Sequence, residues 1–367
     1  MKYTLQLNTG SFSRSVFDKD IVLSKLDKCL SSLNVSRVIF GWSPDRAINE
    51  LIVDYLTAQN IEKYFWLPIF GEIHSGTDSD RFCAIDGAGN ASIDNLCEGE
   101  NFDFVCQSSK RNLEHAISVF ETLMKDLPVN GVFIDRIRYS SPANSRNALF
   151  GCFCPRCISE YEKAGIDVDR LRAISRTDED LFVPDNISDL KYHFKDSDIN
   201  SLMNVKRKII NNAVSVLSEY FHSHGKKVGI DTFAPCVSDF VGQDNSSLGN
   251  MVDFIKPMFY LRTDAPAGVP FELNALGDKI HGKINELWGG DCMSTAATDM
   301  QLRALLAKGL QVSPGIDSNR IDGICRADDD YVLNAVSECE SCGCEEVVLS
   351  WDILRISDST IQKAGKL

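Results

Sequence analysis

The nonapeptide GVFIDRIRY, Gly131–Tyr139, constrains this 367-residue chain more than any other feature. It reads as an apolar strand ending in an acid, Asp135, with a loop of unusual length behind it. A desolvated carboxylate is costly unless it is paired or used, so buried strands seldom end in one by chance. In a barrel of parallel strands, the carboxyl end of each strand is where catalytic groups sit.

The remaining sequence supplies such a barrel. Short apolar, β-branched or aromatic runs alternate with longer stretches of helical spacing, the pattern of a parallel sheet covered by helices. Eight runs stand out: Tyr3–Asn8, Arg37–Trp42, Tyr64–Phe70, Gly131–Tyr139, Lys227–Phe233, Asp253–Tyr260, Leu310–Ile316 and Glu346–Ile353. Helices are expected at Ile21–Leu33, Ala47–Ala58, Asn112–Lys125, Ser201–His222, Met300–Ala307 and Asp329–Cys339. The fold class is therefore α/β, a (β/α)8 TIM barrel. An open doubly wound sheet is the alternative, but no glycine-rich phosphate turn follows the first strand. Two connections far exceed the usual roughly 2–6 residues. Residues 71–109 follow the third strand and 140–200 the fourth. Both leave carboxyl ends, so one domain spanning 1–367 is expected. Its long loops should cover that face, with a capping subdomain inserted after strand 4.

Composition narrows the partners. With 38 basic against 52 acidic residues the formal charge is −14, which argues against a nucleic-acid backbone. No apolar stretch reaches the roughly 18–20 residues that span a bilayer. The opening residues lack the apolar core of a secretory signal, so a cytoplasmic location is expected. The 13 cysteines then read as thiols or metal ligands rather than disulfides. Oligomeric state has no signature here.

Strand alternation indicates which side chains face the barrel interior. In the fourth strand Gly131, Phe133 and Asp135 share the inner face; in the fifth, Gly229 and Asp231 do. Acids at adjacent strand ends can approach within the roughly 5–9 Å used in glycosidic bond cleavage. Capping a loop or pairing with a cation is the structural alternative for each. The sixth strand points Lys256, Met258 and Tyr260 inward, and a lysine that deep needs Asp231 or Asp135 as partner. Tyr260 can bond a substrate or orient a carboxylate. Asp317, Trp351 and Asp352 end the last two strands, and an exposed indole at a barrel mouth suits the apolar face of a sugar. If Ser350 and Asp352 point inward instead, Trp351 packs against helices; Trp42 and Trp66 carry the same choice, with core packing the favoured reading. Glu72, Asp264 and Glu272, in loops, compete for a second acidic role, and Glu286 reads as solvent-facing.

In FGCFCPRC, Cys152, Cys154 and Cys157 have a spacing that suits tetrahedral structural zinc. A fourth ligand must come from elsewhere: His193, Cys83, Cys97, Cys106 or Cys236. Reduced thiols packing a cap are the alternative. Cys339, Cys342 and Cys344 belong to the opposite barrel face. A catalytic metal is not expected, because no histidine ends a strand, and a histidine base for a nucleophilic serine or cysteine is missing for the same reason.

FWLPIF, FDFVCQSS, GVFIDRIRY, FGCFCPRC, VGIDTF, VDFIKPMFY and VVLSWDI together resemble a set of little-studied TIM-barrel proteins grouped with the glycoside hydrolases. The resemblance runs from the third strand to the eighth. It implies a catalytic role for Asp135, from the Gly-hydrophobic-x-x-Asp-x-x-Arg-Tyr strand, and by the same matching for Asp231. A fainter resemblance to glycoside hydrolase family 18 lies in the Met258-Phe259-Tyr260 pattern. That family's catalytic glutamate is replaced here by Ile137 and an earlier acid by Phe133, which argues against chitinase chemistry. The expected function is cleavage of a glycosidic bond in a carbohydrate substrate, without a catalytic cofactor. Asp135 is the nucleophile or charge stabiliser, with Lys256 or Arg138 as its neighbouring cation, and Asp231 is the general acid/base. The alternative is a non-catalytic carbohydrate-binding barrel.

Overall fold

Period-two alternation along the apolar runs resolves into eight parallel strands that close on themselves. A computed structural model describes residues 1–11, 14–15, 17–71, 84–90, 93–97, 100–144, 146–177 and 180–367. The barrel strands are β1 (Lys2–Asn8), β2 (Val35–Gly41), β3 (Glu62–Pro68), β4 (Gly131–Asp135), β5 (Lys227–Phe233), β6 (Phe254–Phe259), β7 (Gly315–Asp317) and β8 (Glu346–Ser350). Each pairs in parallel with its sequence neighbours, and β8 returns to β1. This is the (β/α)8 barrel.

Helices at Lys19–Ser32, Arg46–Ala58, Ser197–Ser223 and Asp329–Ser341 begin where an aspartate accepts a backbone N–H bond, from Asp18, Asp45, Asp196 and Asp328. Such caps satisfy donors that a helix start leaves unpaired. Between β5 and β6 the chain forms only short helical turns, Pro235–Ser238, Asp239–Val241 and Asn245–Gly249. The insertion after β4 packs on this stretch: the Tyr192 hydroxyl donates to the Cys236 carbonyl (3.0 Å), and the Tyr192 amide to Asp239 (2.7 Å). Asp239 in turn holds Arg207 of the long helix at 2.6 Å. The insertion has helices of its own, Pro155–Lys163 and Val168–Ile174, and an antiparallel ribbon, Asn186–Ser188 with Lys191–His193. Among the described residues no helix is long and apolar enough to cross a membrane.

Four strands, β4, β6, β7 and β8, are shorter than their apolar runs, β4 and β7 most of all. Pro314 has no N–H to donate, so the ladder of β7 starts at Gly315, and Val312 makes only an isolated bridge to Ile255. β4 stops at Asp135 because Arg136 adopts a left-handed backbone (φ 49°).

The barrel interior is filled. Phe133 stacks on Phe254 with ring centroids 6.0 Å apart, Trp66 meets Phe133 edge-on at 6.5 Å, and Arg37 lies 4.0 Å over Phe254. Inward glycines make room for these groups: a Cβ at Gly229 would lie 2.2 Å from the Phe254 ring.

Candidate active site

A cleft of about 180 Å³ opens at the carboxyl ends of the strands. Asp135 reaches it from the end of β4, half-buried. Its carboxylate is held by two donors: Trp66 Nε1 at 2.9 Å on Oδ2 and the Arg136 amide at 2.5 Å on Oδ1. Parallel register explains the first, since Trp66 is paired with Phe133 and Pro68 with Asp135. Asp231 stands beside it. Ile134 pairs with Ile230, so each acid is the next residue of a neighbouring strand, and such strands lie about 4.8 Å apart.

Asp231 is in register with Lys256, whose ammonium donates to both carboxylate oxygens at 3.1 and 3.0 Å and to the Tyr260 hydroxyl at 2.6 Å. Lys256 is fully buried below the cleft, and a Cβ at Gly315 would sit 2.5 Å from its Cε. Burial pushes the Asp231 carboxyl up from 3.8 to about 7; Lys256 opposes this and the Asp135 charge adds to it. Burial likewise raises the Tyr260 hydroxyl well above its ordinary range. Burial thus raises the proton affinity of Asp231, the condition a carboxyl needs to hold a proton near neutrality.

Aromatic and cationic groups wall the cleft. Trp42 and Trp66 meet edge-on at 5.5 Å, and Tyr260 lies 5.8 Å from Trp351. The Arg136 guanidinium lies 4.9 Å over Trp42, and Arg138 is sandwiched by Phe104 (4.8 Å) and Phe233 (4.7 Å). Burial pushes Arg138 down to about 10, against the nearby Glu272 charge.

The cleft thus gathers Asp135, Asp231, Arg138, Tyr260 and Trp351 from the sequence-derived candidates. Lys256 serves Asp231, rather than bounding the cleft or neutralising Asp135. Three other candidates are turned away from it by their own hydrogen bonds. Glu272 is fully buried and accepts the Ala143 and Ala267 amides, both at 2.9 Å, so it ties the loops after β4 and β6. Asp317 accepts the Arg262 amide (2.7 Å) and the Thr263 hydroxyl (2.8 Å), shaping the loop after β6. Asp352 caps the turn Ile353–Arg355 through the Leu354 amide (3.1 Å), and burial raises its carboxyl to about 6. Glu72 lies outside the described residues. Two groups depart from the favoured sequence reading. Trp42 and Trp66 are buried as expected yet face the cleft, and Arg136 lines it because its left-handed backbone interrupts strand alternation.

A second constellation lies in the insertion. Cys152, Cys154 and Cys157 are joined by Cys106, and the four buried sulfurs all lie within 4.8 Å of one another. Among the described residues this is the only metal-capable group of three or more such side chains. His193 is bonded to Ser188 (2.7 Å), and the segment around Cys236 packs against Tyr192 instead. Cys83 and the Cys97 side chain fall outside the description. Cys342, on the opposite face, hydrogen-bonds Asp299 at 2.9 Å.

No family model matches the chain, and no curated protein matches it in sequence. Solved structures do match its fold. The glycoside hydrolase domain of PgaB (BpsB) from Bordetella bronchiseptica aligns with a TM-score of 0.62 at 10% identity, over 99% of this chain and 98% of that one. A β-galactosidase from the Antarctic haloarchaeon Halorubrum lacusprofundi aligns at 0.62 and 8% identity, covering 99% of this chain and 57% of that one. Isoenzyme 2 of the α-L-fucosidase of Paenibacillus thiaminolyticus aligns at 0.59 and 10% identity, covering 100% and 48%. This chain spans about half the length of those last two. At such identities the shared property is the fold. The chain is a (β/α)8 barrel of the kind these glycoside hydrolases use.

Proposed function

We propose that the protein is a glycoside hydrolase acting at the cleft of Asp135 and Asp231. One observation carries the reading: two acids stand side by side at the ends of β4 and β5, in a cleft walled by Trp42, Trp66, Trp351 and Tyr260. Paired carboxylates supply the nucleophile and the proton donor for glycosidic cleavage, and indole faces hold sugar rings.

In this reading the Asp135 carboxylate, oriented by Trp66 and the Arg136 amide, attacks the anomeric carbon. Asp231, whose proton affinity is raised by burial, delivers a proton to the departing glycosidic oxygen, releasing the aglycone as an alcohol. Water then attacks the glycosyl ester, giving its proton back to Asp231 and freeing Asp135. Adjacent-strand spacing of about 4.8 Å suits the roughly 5–5.5 Å separation of retaining enzymes better than the roughly 6.5–9.5 Å of inverting ones.

The test is a panel of chromogenic glycosides of both anomers with wild type, Asp135→Asn and Asp231→Asn. Turnover by wild type and its loss in Asp135→Asn, with sugar binding kept, is expected. Unchanged turnover in both variants removes the assignment. Sugar binding with no turnover on any glycoside would instead mark a carbohydrate-binding barrel.

A further inference from the structure

We infer that Cys106, Cys152, Cys154 and Cys157 form a structural zinc site that clamps the insertion after β4 to the segment leading into the helix Lys110–Met124. This is independent of how the cleft is read.

The geometry comes first. Zinc–sulfur bonds of about 2.3 Å in a tetrahedron set the sulfurs about 3.8 Å apart. Cys106 Sγ lies 3.3 Å from Cys154 Sγ and 3.6 Å from Cys157 Sγ, and no pair of the four exceeds 4.8 Å. The four sulfurs are therefore close enough together to share one ion after small shifts. None is in a disulfide.

The surroundings suit thiolates rather than apolar packing. The Ile85 and Cys154 amides point at Cys152 Sγ, at 3.4 and 3.5 Å. Ser108 Oγ lies 3.0 Å from Cys106 Sγ and 3.3 Å from Cys157 Sγ. Donors aimed at the ligands of a metal fix their orientation and offset their charge. Four thiols placed only to fill space would not need hydroxyl and amide donors turned toward them. With all four positions taken by protein the site is closed, which marks a structural rather than a catalytic ion.

The linkage is also informative. Cys106 is 46 residues before Cys152, so an ion here bridges a long loop of the chain. Asn112 Nδ2 donates to the Cys106 carbonyl (2.8 Å), tying the site to the first turn of the helix. Gln107 Nε2 donates to the Arg138 carbonyl (3.3 Å), so the residue next to a zinc ligand backs a wall of the cleft.

The experiment uses the whole chain purified without chelators. Elemental analysis should find one zinc per chain. Titration with a mercurial in the presence of a zinc-sensing dye should release it as four thiols are consumed, and growth on cobalt should yield the visible bands of a tetrahedral tetrathiolate. Cys106→Ser should lose the metal to a competing chelator that leaves wild type loaded, and Cys29→Ser, in the Lys19–Ser32 helix, should keep it. Wild-type measurements stand even if Cys106→Ser fails to fold. A metal-free wild type with four freely titrating thiols overturns the proposal, as does a disulfide among the four found by mass spectrometry. One iron per chain overturns the choice of metal, and a Cys106→Ser protein that holds zinc as tightly as wild type overturns the fourth ligand.

Discussion

Replacing Lys256 by methionine isolates the interaction on which the proposed acid depends. The ammonium lies 3.0 Å from Asp231 Oδ2 with both groups almost wholly buried, and the methionine keeps the volume while removing the charge. At an effective dielectric of about 20, unit charges about 3 Å apart attract by roughly 5 kcal/mol, an upper limit before relaxation. A cation at contact distance commonly lowers an aspartate by roughly 1–3 units, or about 1.4–4 kcal/mol. Asp231 stands near 7 with the lysine present, so Lys256→Met should carry its titration upward by that amount. The sign of the stability effect follows. In the folded chain Asp231 keeps its proton to about pH 7, against an ordinary 3.8, so the folded state binds more protons than the unfolded one between those values. Stability therefore falls as pH rises through that window. The variant extends the window upward, so its melting temperature relative to wild type should stay level between pH 5 and about pH 7 and drop from there to pH 9. The assay is a ¹³C titration of the aspartate carboxyl carbons, assigned with Asp231→Asn, beside thermal melts at each pH. A titration that stays put or moves downward, or a melting difference independent of pH, refutes the argument that Lys256 is the cation opposing Asp231's burial.

Other outcomes follow from single contacts. Trp66→Phe removes the 2.9 Å indole bond to Asp135 while keeping the ring's packing, so kcat should fall by roughly 10–100-fold with KM little changed, as fits about 1.5–3 kcal/mol for a bond to a charged group. A kcat matching wild type would show that Trp66 does not position the acid. Trp351→Ala should weaken sugar binding by about 1 kcal/mol, read by titration calorimetry, because the half-buried indole offers a face to the cleft; unchanged affinity excludes stacking there. Gly229→Ala sets a methyl 2.2 Å from the Phe254 ring and 2.9 Å from Phe133, and overpacking of this kind costs roughly 1–3 kcal/mol. Chemical denaturation should show that loss, and a neutral result would mean the interior aromatics shift freely.

The barrel was legible because its signal is local. Alternation in GVFIDRIRY and KVGIDTF assigns Phe133, Asp135, Gly229 and Asp231 to the inner face, and the interior contacts of Phe133 and the ion pair of Asp231 bear this out. The need of Lys256 for a carboxylate could likewise be read from its burial, though the choice of Asp231 depended on the register Asp231–Lys256. Other residues had no local signature. Asp317 ends its strand just as Asp135 does and Asp352 follows β8 by two residues, yet the amides and hydroxyls around them come from loops and helix starts that alternation does not place. Arg136 escaped notice because one left-handed residue resets the alternation on which the reading relied. Trp66 was correctly read as buried, but its bond to Asp135 crosses 69 residues of chain.

By itself, then, the sequence determined which segments are strands, which of their side chains turn inward and where the acid of β4 stands, since these follow from backbone geometry within a few residues. Tertiary structure alone decided which buried acids face the cleft, which tie loops together and which cysteine joins the trio of the insertion. Those outcomes depend on hydrogen-bond donors and sulfurs brought from distant parts of the chain, and barrel closure and loop packing set their positions rather than any local pattern.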